Sequence, residues 1–288
     1  MRKQLVWQLF WASRPVSWIN TAYPFALTYF LLTGRFDTVF WVASIFFLIP
    51  YNLLMYGIND VFDYESDLRN PRKGSIEGAV LAKKWHRPTL FWSFALPIPF
   101  LAYLYAVGNN WANLWLTFFI FTVIAYSAKY LRFKEVPFVD SLTSASHFVG
   151  PAVYAVALAG GNLIEPTTRN ILLAFTLWGM ASHAFGAVQD IRADREAKIK
   201  SVATAMGARY TTRFAFACYA LAGILLLNTP QPISLGAIAA IPYLAITAPF
   251  WNLRDADCEK ANRGWRRFMW LNLFAGFVVT LIALSFAR

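Results

Sequence analysis

Charge is what this sequence has least of. Only 14% of its 288 residues are Asp, Glu, Lys or Arg, where a soluble domain carries about a quarter. With 58% hydrophobic residues and a positive mean hydropathy, the chain lies outside the soluble globular class. Cysteine is scarce too: Cys218 sits in an apolar run and Cys258 in a polar one, which excludes a disulfide framework. The opening MRKQLVWQLFWASRPVSW has no small-residue cleavage site, so it reads as an interfacial lead-in to a retained first helix.

What is present is long apolar runs. A window of about 19 residues finds nine, near 15–33, 38–58, 89–107, 111–128, 138–159, 170–189, 211–228, 233–251 and 268–286. The expected fold is an all-α membrane protein: nine transmembrane helices bundled around a central cavity open to the cytoplasmic face, with the N-terminus inside. The whole chain, 1–288, reads as one domain with pseudo-repeat halves of roughly 1–137 and 138–288. Charge placement fits this topology. Of the 26 Lys and Arg residues, 23 fall on the N-terminus and the breaks at 59–88, 129–137, 190–210 and 252–267, counting Arg213 at the edge of the seventh run with the break before it, leaving Arg35, Arg169 and Arg288 on the other side. Such asymmetry marks the cytoplasmic face. The net charge of +11 is therefore accounted for by orientation and anionic lipid, with no call for nucleic acid.

The scarce acids are clustered. NDVFDYESD, residues 59–67, follows an apolar run directly. On a helix, Asp60, Asp63 and Asp67 fall at i, i+3 and i+7 and share a face, where like charges repel. Basic partners or a divalent metal relieve that. A hard cation such as magnesium prefers carboxylate oxygens and keeps waters that phosphate can displace, and Asn59 adds an amide oxygen. QDIRADREAKIK, residues 189–200, repeats the theme, with Asp190 and Asp194 at i and i+4 behind Gln189. Both clusters close an outward-to-inward segment, the second and the sixth, so the two carboxylate sets are expected to face one another across a shared cavity. Arg14, Arg69, Arg72, Lys73, Lys129, Arg132, Lys134 and Arg195 supply cations able to neutralise a metal-bridged phosphate. The third acidic patch, DADCEK with Asp255, Asp257 and Glu259, is expected to pair with Arg263, Arg266 and Arg267 as a cytoplasmic lid or turn.

The pattern N-D-x-x-D-x-x-x-D at Asn59, Asp60, Asp63 and Asp67, together with D-x-x-x-D at Asp190 and Asp194, resembles that of the UbiA-type intramembrane prenyltransferases. The resemblance covers the whole chain. It implies a prenyl diphosphate donor bound through magnesium held by both motifs, ionisation of the allylic carbon–oxygen bond, and transfer to a lipophilic acceptor. MYGINDVFDYESD, NPRKGSIEGAVL, YSAKYLRFKE and DADCEKANRGW are similar to the lycopene elongase branch, which adds dimethylallyl units to both ends of lycopene. Many other members carry an Arg-Pro signature after the first motif. RNPRKGSIEGAVL replaces it here, which argues against a quinone- or haem-type acceptor.

The donor is thus expected to be dimethylallyl diphosphate and the acceptor a carotenoid, in a multi-pass protein of the plasma membrane with its active site facing the cytoplasm. An aromatic or quinone precursor is the alternative acceptor. A cation-coupled transporter is the alternative class, disfavoured because transporters place intramembrane charge at the midplane of inverted repeats. His147, in SLTSASHF, and His183, in WGMASHAFGAVQD, are the candidate general bases. Departing diphosphate is a third proton acceptor, and Asp140 is a supporting residue beside the same polar run.

Overall fold

The computed structural model describes residues 2–68 and 80–286, with no strand among them. In chain order the helices are α1 (Arg2–Ala12), α2 (Trp18–Thr33), α3 (Thr38–Leu48), α4 (Pro50–Phe62), α5 (Tyr64–Asp67), α6 (His86–Ala95), α7 (Pro97–Val107), α8 (Asn110–Ser127), α9 (Val139–Leu158), α10 (Pro166–Val188), α11 (Ile191–Glu196), α12 (Val202–Leu227), α13 (Ala240–Thr247) and α14 (Asn262–Phe286). Short 3-10 turns link several of them. Six stretches among the described residues are long and apolar enough to cross a bilayer: Thr38–Phe62, Lys83–Val107, Pro166–Val188, Val202–Leu227, Ile233–Phe250 and Asp255–Ser285. The three other expected segments are helical as α2, α8 and α9. They are shorter or less apolar: α2 has 16 residues, α8 opens on Asn110 and α9 carries the polar run from Ser141 to His147.

Local chemistry explains where helices start and stop. Asp37 caps α3 by accepting from Phe40 N at 2.9 Å, and Gly34, at φ 67°, closes α2. Glu165 caps α10, and hydrogen bonds from Thr168 and Thr167 N–H hold its carboxyl down at about 2. Ser201 and Thr204 form a reciprocal capping box at the start of α12, which satisfies two otherwise orphaned donors. Proline divides the long apolar stretches. Pro50 begins α4 one residue past the end of α3, and Pro97 separates α6 from α7 in the same way. Carbonyls freed at such a kink need donors when lipid surrounds the helix. At the Pro50 kink, Asn52 Nδ2 donates to Phe47 O (2.9 Å) and Leu48 O (3.1 Å), and Thr21 Oγ1 donates to Phe47 O (2.6 Å).

The chain forms two compact units, one through Phe133 plus Gly150–Gly161, the other Lys134–Val149 plus Asn162–Arg288. The first is built on aromatic packing, with the Phe25 ring 5.3 Å from Phe47 and 6.0 Å from Tyr154. That packing draws the second half of α9 into the first unit, beyond the boundary expected at residue 137. The second unit centres on Phe185, Tyr219, Tyr243 and Phe268, with Tyr219 and Tyr243 stacked at 5.0 Å. Within it α9 and α10 approach closely at Gly179, where an added Cβ would lie 2.9 Å from Ala145 Cα. Small residues permit such contact between membrane helices.

Replacing Asn52 with Leu takes its donor from Leu48 O and leaves Phe47 O with Thr21 alone. A lost buried hydrogen-bond partner costs about 1–3 kcal/mol, so Asn52→Leu is expected to lower the thermal midpoint in detergent, while Asn52→Gln retains part of the stability.

Candidate active site

The first acidic motif lies at the end of α4, where the apolar stretch meets the polar break. Asp60 is 3% exposed, too deep for a charge without compensation. Arg14 provides it: Nη2 lies 2.7 Å from Asp60 Oδ1, and the guanidinium carbon is 4.8 Å from the Tyr56 ring centre. Arg14 reaches inward because its backbone is left-handed, φ 53° and ψ 72°, in the turn before Pro15. That conformation is uncommon for a residue with a Cβ. Asn59 Oδ1 accepts from Ser127 Oγ at 2.9 Å, at the end of α8. Asp63 pairs with Arg132 at 3.6 Å, and Arg132 too is left-handed, at φ 42°. Asn59, Asp60, Asp63, Arg14 and Arg132, separated by over 100 residues of sequence, are thus assembled at one end of α4.

The three acids do not share one continuous helix, as their spacing led us to expect. Asp63 ends α4 at φ −99° and ψ 1°, and α5 resumes at Tyr64. The second motif breaks alike: α10 ends at Val188, Asp190 adopts φ −97° and ψ −4°, and α11 resumes at Ile191. Both aspartates occupy the sparsely populated bridge region, common among active-site residues. Each motif still keeps its i to i+4 backbone link, Asp63 N to Asn59 O at 2.9 Å and Asp194 N to Asp190 O at 2.8 Å.

Around the second motif, Gln189 is buried and its Oε1 accepts from Asn262 Nδ2 at 2.5 Å. Arg195 Nη1 meets Asp255 Oδ2 at 2.7 Å, and its Nη2 donates to Thr204 O at 3.1 Å. The partners expected for the third acidic patch need correction. Asp255 pairs with Arg195, Asp257 with Lys260 (2.8 Å) and Arg254 (3.4 Å), and Glu259 with Arg192 (3.4 Å). The 3-10 turn Asp255–Ala261 directs Asp255 and Glu259 back toward α11 and keeps Asp257 with its own neighbours, whereas Arg263, Arg266 and Arg267 lie beyond it on α14.

Of the candidate bases, His183 Nδ1 lies 3.0 Å from Ser141 Oγ, and His147 is 2% exposed on α9. Both Asp140 oxygens are engaged, Oδ1 by Ser141 N and Oδ2 by Val202 N, each at 2.7 Å. That ties the start of α9 to the start of α12. Lys129 lies over the Tyr130 ring at 5.6 Å, and Lys134 belongs to the second unit. Arg69, Arg72 and Lys73 fall outside the described residues, as does the Asp67 side chain. Sequence reasoning missed Ser127 and Asn262, since single polar residues at helix ends carry no spacing signal.

Comparison with known proteins places these residues in context. The sequence matches the UbiA prenyltransferase family over residues 21–274. It is 58% identical over 97% of its length to a C(50) beta-cyclic carotenoids biosynthesis protein of Dietzia sp. (strain CQ4), of whose length it spans 65%. It is 52% identical to the lycopene elongase/hydratase of Corynebacterium glutamicum, covering 95% of each chain. Its fold resembles the solved structure of a UbiA homolog from Archaeoglobus fulgidus bound to DMAPP and Mg2+, with TM-score 0.68 and 18% identity over 94% of this chain and 99% of that one.

The Arg14–Asp60 pair gives a stability prediction. Removing one partner of a buried ion pair costs roughly 3 kcal/mol or more, so Arg14→Gln is expected to lower the thermal midpoint markedly. Adding Asp60→Asn should recover most of the loss. An Arg14→Gln protein as stable as the parent would show that the pair carries no such energy.

Proposed function

The chain belongs to the UbiA prenyltransferase family, and from that premise we propose that it transfers dimethylallyl groups from dimethylallyl diphosphate to the two ends of lycopene. The observation that carries this reading is 52% identity over 95% of the chain to a protein named for lycopene elongation. The acidic motifs, in the same chain, supply the chemistry such a reaction needs.

The donor is an allylic diphosphate, so reaction requires a large negative charge to be held while its carbon–oxygen bond breaks. In this reading the carboxylates of each motif, Asp60, Asp63 and Asp67 in one and Asp190 and Asp194 in the other, hold magnesium. The donor set fits the ion: every side chain offers oxygen, the preference of a hard cation. Carboxylates alone would leave coordination positions on such an ion for water and for substrate oxygens. Bound magnesium would supply Lewis-acid stabilisation of the leaving diphosphate.

The protein's own groups do the rest. Arg14 and Arg132 already lie beside the first motif's acids, and Lys129 and Lys134 follow on the same break, so fixed cations are available to meet the diphosphate oxygens as they gain charge. Arg69, Arg72 and Lys73 extend that set in sequence. The Tyr56 ring, already the partner of a guanidinium, offers a face to positive charge. Once the cation has added to an end of the carotene, His183, held by Ser141, and the buried His147 are the candidates to take the proton released. Within the expected spans polar side chains are few. A hydrocarbon acceptor leaves no buried polar group of its own unpaired.

Nine spans with the N-terminus inside complete the proposal, in the plasma membrane, with the acidic motifs facing the cytoplasm. The charge asymmetry supports this orientation. Cysteine substitutions at Tyr130, 91% exposed, and at Lys200 are expected to resist an impermeant maleimide in intact cells and to react after permeabilisation. The two natural cysteines are buried and give a low background. Labelling of either position from outside would overturn the orientation.

Membranes carrying the protein, supplied with labelled dimethylallyl diphosphate and lycopene, are expected to form a mono-adduct first and a di-adduct later. Asp60→Ala, Asp190→Ala and excess chelator should each abolish both products while the protein still inserts. Efficient transfer to 4-hydroxybenzoate with lycopene untouched would reject the carotenoid acceptor and leave the family chemistry standing.

A further inference from the structure

The second acidic motif cannot hold its own shape. α11 has six residues, far fewer than an isolated helix needs to persist in water. Just past its end the chain turns left-handed at Lys198, φ 58°. Its orientation must come from outside, and one neighbouring segment supplies three ties. Gln189 Oε1 accepts from Asn262 at 2.5 Å, Arg192 reaches Glu259 at 3.4 Å and Arg195 reaches Asp255 at 2.7 Å.

The last tie has the most constrained geometry. Asp255 uses Oδ2 for Arg195 and Oδ1 to accept from Ala208 N, both at 2.7 Å. Ala208 is the first residue past a break in α12 at Gly207, φ 76° and ψ 165°. A Cβ at Gly207 would lie 2.9 Å from Asp255 Oδ1, so the glycine both allows the break and makes room for the carboxylate. Arg195 spends its second amino group on Thr204 O, 3.1 Å away in the first turn of α12. One carboxylate and one guanidinium thus join three pieces of chain: α11, the broken start of α12 and the turn at Asp255.

We propose that Asp255 is a positioning residue for the prenyl-transfer reaction. Through Arg195 it fixes α11, and with it the placement of Asp194 and Asp190. This rests on the reading that those two aspartates hold magnesium for the donor. It gives Arg195 a role different from the direct diphosphate contact that its charge suggests: it acts as the arm by which Asp255 holds the motif.

The test uses the full-length protein in lipid nanodiscs, with dimethylallyl diphosphate and lycopene and initial rates taken across magnesium and donor concentrations; magnesium binding without substrates is read separately from the magnesium-dependent shift of the thermal midpoint. Asp255→Asn keeps an oxygen for Ala208 N and removes the charge that grips Arg195. Losing such an outer tie typically weakens metal binding about tenfold or more. Asp255→Asn and Arg195→Gln are therefore each expected to raise half-saturating magnesium about tenfold, with the rate at saturating magnesium retained. The double variant should be no worse than either single one, because both remove the same link. Arg195→Lys should recover part of the loss.

Three results would overturn the proposal. One is unchanged magnesium dependence in Asp255→Asn. A second is an equal rate loss at every magnesium concentration with a lowered thermal midpoint, the mark of a purely structural bond. The third is a raised donor KM in Arg195→Gln with Asp255→Asn like the parent, which would make Arg195 a direct diphosphate ligand. Asp190→Ala serves as the control for the underlying reading. If it is inactive while Asp255→Asn behaves as the parent, only the positioning role fails; if it turns over fully, the metal assignment fails first.

Discussion

A carboxylate set at the end of an apolar helix must be neutralised, and much of the first unit's polar architecture answers that requirement at Asp60. Its partner, Arg14, lies 46 positions earlier and reaches it at 2.7 Å. The contact needs α1 to stop, the backbone at Arg14 to turn left-handed and Pro15 to start the next turn. Such a backbone costs of order 1 kcal/mol or more and persists where the surroundings over-determine it. The buried ion pair and the Tyr56 ring beneath the guanidinium are those surroundings.

Broken helices recur at both acidic motifs. Asp63 and Asp190 adopt nearly the same φ and ψ at the two motif breaks, and Gly207 opens a third break beside the second motif. An uninterrupted helix would lock its backbone groups into its own ladder and aim its side chains at fixed angles. A break frees both, and in an apolar protein each freed group then needs a named partner. Asn52 and Thr21 serve the Pro50 kink, Asp255 the Gly207 break, and the Ser201–Thr204 box the start of α12. Polar residues are few here, and many of those buried have a structural task of this kind.

Much of this was legible in the sequence, for physical reasons. Apolar runs fold as helices, and six of the expected segments are long and apolar enough among the described residues to cross a bilayer, while the other three are shorter or more polar helices. Acids at helical spacing behind apolar runs marked both motifs, since such clustering is costly without a purpose. The partners of those acids were less legible. The DADCEK acids were assigned to arginines further along the chain, whereas the 3-10 turn points them back to Arg192, Arg195 and Arg254. Ser127 and Asn262 gave no signal because a lone polar residue at a helix end looks the same whether or not it meets an amide.

The sequence by itself determined the helical class, the rough position of each helix, the two acidic motifs and the kind of chemistry they serve. The class, the helix positions and the motifs follow from composition and spacing along the chain; the chemistry came from the motifs' resemblance to the prenyltransferase family. Only the tertiary structure decided which cation meets which acid, where each motif breaks and which loop pairs with the second motif. Those outcomes depend on φ and ψ at single residues such as Arg14, Asp63, Asp190 and Gly207. Such values are set by packing between segments far apart in sequence, and local pattern carries no record of them.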